Sequence, residues 1–395
     1  MTPHYLTITP HDPIIARDGR PFGFGQGQRM RSLHWLYPSV FAGSLRTLLG
    51  KLNEGGFDRP EELLSISSAG PLPMHDGRLY FPGPVDLLVY KSEDNPDRKI
   101  MPLRPMRDYK CNEECGSNLA NGLSPVLVGI DDKSEMVPGF WSTDRMQEWL
   151  LDAAGTNTSV PPDPDEIRKH PNSDYLNIPA KDERFHTAIE PGTGAVIEGR
   201  LFKTVGLDCR IKGEIEVIQL AARVETDNSA AYDIGSINQY HPIGGERRLA
   251  HWESDDKQAG LWSVPAQIRR VLENTPYLRM VLATPAIFSG GWKPGWLDEN
   301  LEGIPPNSRV KLKLISACVE RWKPISGWSL EKGKVGPKAI RRLVPAGSVY
   351  FFEVLDGKAS DIAKSLWLQS VCDENQDQRD GFGLSLWGTW DFANN

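Results

Sequence analysis

SVFAGSLRTLLGKL, residues 39–52, spaces Val40, Leu45, Leu48 and Leu49 near helical intervals behind Ser39, a residue type that caps helix N-termini. Upstream, residues 5–8 alternate apolar and polar side chains and stop at Pro10, the pattern of an edge or opening strand. Strand followed by helix marks the start of an α+β unit. Further along, residues 79–90, broken by Pro-Gly-Pro, read as a hairpin or bent strand and 125–130 as another strand. Residues 144–153 read as a helix capped by Ser142 or Thr143.

A proline-rich stretch with little apolar periodicity, 155–182, reads as a linker. Beyond it, strands are expected around 195–204, 214–224, 278–283, 310–319, 348–354 and 384–392. Helices are expected over 265–272, capped by Ser263, and over 361–371. Helices that do not alternate one-to-one with strands argue against a doubly wound sheet. The expectation is two α+β domains, 1–154 and 183–395, joined by 155–182.

Composition narrows the class. A chain of 395 residues exceeds one typical core. With 39% hydrophobic residues it offers no run of about 18 apolar residues able to span a bilayer. The opening MTPHYLTITPHDP lacks the basic and apolar regions of a secretory signal, so the expected location is the cytoplasm. Five scattered cysteines are an odd set that argues for free thiols. Cys111 and Cys115 form a C-x3-C pair with no second Cys/His pair at finger spacing, so no zinc site is expected.

The net charge of −7 speaks against a polyanionic ligand until its distribution is considered. Residues 1–110 carry 14 basic and 12 acidic side chains, 111–260 carry 14 and 26, and 261–395 carry 17 and 14. Within the last third, residues 309–342 hold ten basic residues against Glu320 and Glu331. A chain with an acidic middle and basic patches at both ends can bind nucleic acid along one face.

Several fragments place arginine or glycine at turns beside apolar runs. In ITPHDPIIARDGRPF (8–22), Asp18-Gly19 is a strong turn pair flanked by Arg17 and Arg20, which present either two guanidiniums to a phosphate or local Arg–Asp pairs. The following GFGQGQ stretch, with Arg29 and Arg31 close behind, lies too far from the next helix for a dinucleotide fingerprint and lacks the Lys-Ser/Thr of a phosphate loop. The helix of PSVFAGSLRTLLG (38–50) carries Arg46. In IGGERRLA (243–250), Gly244 and Gly245 let a backbone approach a ligand ahead of Arg247 and Arg248, with His241 and His251 flanking. Lys338, Arg341 and Arg342 interleave with Trp322 and Trp328 in the basic stretch, as in single-strand grooves or in a solvated basic loop. Gly381 and Gly383 in GFGLSLWG (381–388) permit close backbone approach to a ligand or a helix. No G-x-S-x-G or H-E-x-x-H appears, and no catalytic residue, metal or cofactor is expected. Nor are there aromatics of the RNP type on a strand, so base stacking by the sheet face is not expected.

Taken in order, ITPHDPIIARDGRPF, PSVFAGSLRTLLG, IEPGTGAVIEGRLF (189–202), IGGERRLA, RLVPAGSVYFFE (342–353) and GFGLSLWG resemble the RAMP superfamily of CRISPR proteins. More narrowly, they resemble the third-subunit family of the Cmr (type III-B) effector complex. The resemblance implies two ferredoxin-like (RRM-like) domains with insertions and a non-catalytic structural role. It implies as partners the 5′ repeat-derived tag of the guide RNA, the large polymerase-type subunit and the backbone RAMP subunit, and no membrane. By match of motif it carries RNA contact to Arg17, Arg20, Arg46, Arg247, Arg248, Gly381 and Gly383; Lys338, Arg341 and Arg342 are added from charge alone. The rival expectation is a metal-independent endoribonuclease of the same superfamily using His34, His241 or His251. A carbohydrate-binding protein, motivated by twelve tryptophans, is a third.

Overall fold

A computed structural model describes residues 3–17, 32–53, 57–58, 60–92, 95–107, 119–120, 122–126, 128–156, 159–211, 216–226, 232–329 and 336–393. The chain is a mixed α/β protein built on antiparallel sheets, and it forms two compact units, each drawn from three separated segments. One comprises Met1–Pro71, Ile178–Asp256 and Lys323–Arg342; the other comprises Leu72–Asn177, Lys257–Trp322 and Leu343–Asn395.

In the first unit the strand His4–Pro10 is flanked on both sides. It pairs antiparallel with Gln219–Glu225 (Ile8 opposite Leu220) and with Leu249–Ser254 (Ile8 opposite Trp252). Asn238–Pro242 extends the ladder beyond Leu249–Ser254. On the other side, the start of Ser67–His75 lies next to Gln219–Glu225. Leu6, Ile8, Leu220, Ala222, Ala250 and Trp252 are fully buried on the core face. The helix Pro38–Leu52 buries Phe41, Leu45, Leu48 and Leu49, and Phe41 stacks on Trp252 at 5.5 Å. Two long strands, Ala180–Ile189 and Val196–Asp208, form a hairpin paired from Ala180–Asp208 to Ile189–Val196.

The second unit carries the sheet order Glu302–Gly303, Lys311–Cys318, Val349–Asp356, Tyr277–Leu282, Ser385–Gly388, antiparallel throughout. Within the same unit, the end of Ser67–His75 pairs with Arg78–Pro82, which pairs with Phe140–Ser142 and then Tyr175–Leu176. Met280, Phe351, Phe352, Leu386 and Trp387 fill its core. A charged hub is embedded there: Asp86 accepts hydrogen bonds from Arg104 (3.2 Å), Arg279 (2.8 Å) and the Trp149 indole (2.7 Å), all buried. Both guanidiniums lie over the Trp149 ring, at 5.4 and 5.5 Å from its centre. Burial, reinforced by the neighbouring Arg279, pulls the Arg104 pKa down to about 10.

Several sequence expectations are corrected. The first strand is central rather than an edge, because it pairs with a neighbour on each flank. The first helix starts at Pro38 after Tyr37, with proline's fixed φ rather than a Ser39 side chain organising its first turn. Residues 125–130 contribute only a bridge between Pro105 and Val126 among the described residues. The helix expected from 265 begins at Ala266 with Pro265 as its cap, not Ser263. Ser142 does cap Thr143–Leu151, accepting from the Arg145 N–H. The stretch 155–182 holds the helix Pro164–Lys169 and the strand Tyr175–Leu176, and no single cut there separates the two units. Proline at a helix start and in edge strands is compatible with order, so composition alone misread this segment. Cys209, Cys318 and Cys372 are free and buried, and desolvation pushes each thiol up to about 12. Cys111 and Cys115 lie outside the described residues.

Candidate nucleic-acid interface

Past the first strand, the chain runs through Ile14 and Ile15, both buried, to Arg17. Ile14 exchanges backbone hydrogen bonds with Leu207 (2.9 and 2.7 Å). Ile15 forms bridges to both Gly244 and Gly245, and its carbonyl accepts the Gly245 N–H at 2.7 Å. Gly244 sits at φ +73°, and a Cβ there would fall 2.4 Å from the Ile15 carbonyl oxygen, so only glycine allows the two backbones to touch. The Gly244 N–H points at Ser44 Oγ of the first helix, 3.4 Å away. Three fragments far apart in sequence (8–17, 38–50 and 243–250) thus meet at Gly244.

This meeting point sets the cations. Arg17 is exposed directly after the buried Ile15–Ala16 pair, and its backbone bridges to Ser32. The loop 243–248 closes through the Ile243 N–H on the Arg248 carbonyl (2.8 Å). Its turn holds Glu246 and Arg247 at φ +57° and +49°, which throws the Arg247 side chain outward into solvent. Arg248 is half-buried, and its Nε is buried without an acceptor among the described residues. A desolvated guanidinium N–H lacking a partner costs about 1–3 kcal/mol unless something accepts from it.

The remaining positions divide. Arg20, with Asp18, Gly19, Arg29 and Arg31, lies outside the described residues. Arg46 is used internally, donating to the Leu63 carbonyl (3.0 Å) and the Ile66 carbonyl (3.1 Å), which ties the first helix to the segment that follows it. Lys338, Arg341 and Arg342 are exposed on a ribbon of their own, where Lys323–Ile325 pairs with Arg341–Leu343 and Trp328–Ser329 with Gly336–Pro337. The Lys338 N–H bonds the Gly327 carbonyl at 2.8 Å. Lys332 and Lys334 lie outside the described residues. Gly381 and Gly383 belong to the second unit and are buried. Gly381, at φ +93°, ends the helix Asn375–Asp380, and its carbonyl accepts from Thr284. Gly383 donates to the Pro285 carbonyl, and a Cβ would meet Cys372 Sγ at 2.7 Å. Their backbone groups are engaged in packing.

The histidines are separated by the pleat. His241 pairs with Ala250 on the core face, 6% exposed and edge-on to Trp252, whereas His251 pairs with Tyr240 on the opposite face. Burial holds the His241 imidazole below its ordinary pKa, Lys51 pushes it the same way, and a hydrogen bond involving the Ser44 backbone opposes both. Two side chains on opposite faces of a sheet cannot exchange protons across one substrate. Tryptophans Trp149, Trp252, Trp387 and Trp390 are buried in the cores, while Trp292 and Trp322 are exposed. Among the described residues, no helix is long and apolar enough to cross a membrane.

The solvent face of the first sheet carries a feature the sequence did not reveal. Tyr240 is 58% exposed and meets His11 and His251, each ring centre 5.1 Å away. The signal was present only as a polar strand, NQYHP, whose alternation is invisible without knowing that His241 faces inward.

A family model described as CRISPR-associated protein (Cas_Cmr3) matches residues 6–390. No curated protein matches the chain. Among solved structures, it is similar to a chain of the type III-B Cmr-beta complex bound to cognate target RNA and AMPPnP. That match has 16% identity and a TM-score of 0.45, covering 91% of this chain and 87% of the other. A chain of the same complex bound to cognate target RNA matches at 15% identity and a TM-score of 0.46, over 88% and 86%. A chain of the Csm3–Csm4 subcomplex of the type III-A interference complex matches at 11% identity and 0.36, over 91% and 94%.

Proposed function

Because the chain belongs to the CRISPR-associated Cas_Cmr3 family and is a Cmr-type subunit, we propose that it is a non-catalytic RNA-binding structural subunit of a type III-B effector complex. In this reading it anchors the 5′ repeat-derived tag of the guide RNA and docks the large polymerase-type subunit and the backbone RAMP subunit. The observation that carries the RNA contact is the pairing of Ile15 with Gly244 and Gly245, which brings together the backbone segments that carry Arg17, Arg247 and Arg248. Arginines and glycine-tight backbone hold phosphate and shape, while guide–target pairing reads sequence in such effectors. The proposed RNA contact also takes in Arg20, by match of motif, and Lys338, Arg341 and Arg342, by their charge.

The topology supports taking both units as elaborated ferredoxin-like domains. In the first, 249–254, 4–10, 219–225 and the start of 67–75 stand in the spatial order 4-1-3-2, with the helix 38–52 between strands one and two. In the second, 385–388, 277–282, 349–356 and 311–318 stand in the same order, with the helix 359–366 between strands three and four.

The test is the affinity of the assembled complex for guide RNA bearing the repeat tag. Arg247→Ala combined with Arg248→Ala lowers it by about 2–4 kcal/mol, two charged contacts' worth. Unchanged affinity removes this loop from the site. Metal-free cleavage of repeat RNA by the purified chain, lost in His241→Ala, would replace the scaffold reading with a nuclease.

A further inference from the structure

The hairpin that ends in the cationic loop also carries two of the three rings, Tyr240 and His251. Across the first sheet, Tyr240, His251, Thr9 and Gln219 stand in one row on the solvent face, fixed by the registers Tyr240–His251, Thr9–His251 and Ile8–Leu220. The row is tied together: His251 Nε2 lies 2.8 Å from Asn238 Oδ1, and the Gln219 amide donates to Thr9 Oγ1 at 2.9 Å. His11, leaving the end of the first strand, is held by its N–H on the Leu249 carbonyl and sets its ring at 69° to Tyr240. Toward Thr7 and Arg223 the same face is buried, at 6% and 8% exposure, while Asn238 and Glu253 beside Thr7 are exposed. Of the nearby carboxylates, Asp12 accepts the Leu249 N–H and Asp255 accepts from Thr7, while Glu253, opposite Asn238 and Thr7 on the same face, is exposed.

We propose that Tyr240, braced by His11 and His251, is a stacking platform for one nucleobase of the RNA strand whose phosphates are held by the loop 243–248. The inference rests on the RNA-binding reading above. Rings of tyrosine and histidine stack on unpaired bases, and a ring already clamped by two neighbours gives up little freedom on doing so. Along the hairpin, Arg248 precedes His251 by three residues, about 10 Å at a strand's rise of roughly 3.3 Å per residue. One single strand can therefore lay a phosphate at the loop and a base on Tyr240. An apolar protein partner fits less well, because the row around the ring is polar (Thr9, Gln219, Asn238) and the adjoining loop is cationic.

The experiment measures binding of the full chain to fluorescein-labelled oligoadenylate over a salt series, with thermal melting as a control. Tyr240→Ala weakens binding about five- to twentyfold, as for the loss of one modest stack, with the slope of log affinity against log salt and the melting temperature unmoved. Tyr240→Phe keeps the ring and rescues the affinity. Arg247→Ala with Arg248→Ala instead flattens the salt slope by about 1.4, two phosphates' worth for a single strand. Unaltered affinity in Tyr240→Ala, loss in Tyr240→Phe, or a loss that comes with a changed salt slope or a lowered melting point overturns the platform. So does a Tyr240→Ala chain that keeps RNA and loses a partner subunit. If the arginine pair behaves as stated while Tyr240→Ala is silent, the platform alone falls; if the unaltered chain binds no RNA, the functional reading falls with it.

Discussion

At the residue scale, the chemistry of the interface is decided by contacts that residue type does not announce. Arg46, Arg17 and Arg247 are equivalent cations in the sequence, yet Arg46 spends its guanidinium on the carbonyls of Leu63 and Ile66, while Arg17 and Arg247 stand exposed beside each other's backbone strands. What distinguishes them is Gly244. Gly244→Ala forces a side chain into the left-handed region, a cost of about 1–2 kcal/mol, and drives its Cβ onto the Ile15 carbonyl. The expected outcome is a lowered melting temperature and an RNA affinity approaching that of the double arginine variant. Gly245→Ala meets only the Ile15 Cγ2 at 3.2 Å and is milder in both readouts; equal effects would remove the close approach as the cause. In the second unit, Asp86 is the sole carboxylate bonded to Arg104 and Arg279 among the described contacts. Asp86→Ala strands two buried cations and costs about 3–5 kcal/mol, read as a shift of the denaturant midpoint; a change under about 1 kcal/mol would show that the hub is solvated.

At the element scale, the hairpin of Asn238–Pro242 and Leu249–Ser254 separates a stability role from a binding role by its two faces. His241 faces the core with a lowered pKa, so the unfolded chain takes up a proton before the folded one does. Stability is therefore full above the ordinary histidine value of about 6.5 and is lost as pH falls through it, down to the depressed folded value, with a limiting slope of about 1.4 kcal/mol per pH unit. Melting curves from about pH 7.5 to 5.5 should show a steeper fall for the native chain than for His241→Gln, and parallel curves would deny His241 the role. Periodicity made some elements legible: the helices at 38–52 and 143–151 and the strands at 277–282, 311–318 and 349–356 all carry apolar faces. It failed where burial is unconventional. SSAGPLPMH (67–75) hides a buried strand behind two prolines and a glycine, NQYHP has no apolar alternation, and the residues 180–189 are exposed on both faces of their hairpin. Prolines read as breakers, and polar strands read as loops, when the neighbours that pair with them are unknown.

At the scale of the whole molecule, the order of segments makes the fold a single covalent undertaking. The chain crosses between its two units after Pro71, Asn177, Asp256, Trp322 and Arg342, so every part of either sheet depends on strands remote in sequence. A boundary placed in the proline-rich 155–182 looks natural from composition but would leave His4–Pro10 in one fragment and both of its partners, Gln219–Glu225 and Leu249–Ser254, in the other. The fully buried Leu6 and Ile8 would then face water, and burial of each such side chain contributes about 1.5–3 kcal/mol. It would likewise separate Asp86, Arg104 and Trp149 from Arg279, dividing the charged hub. Residues 1–154 and 183–395 expressed apart should each lack a cooperative melting transition and bind no RNA, while the two produced together recover a transition, since the missing strands return as partners in trans. A cooperative melt from 1–154 alone would show that the strand His4–Pro10 finds its stability without the ladders on either side of it, and with that the convergence of Arg17 on the loop 243–248 would lose its structural cause.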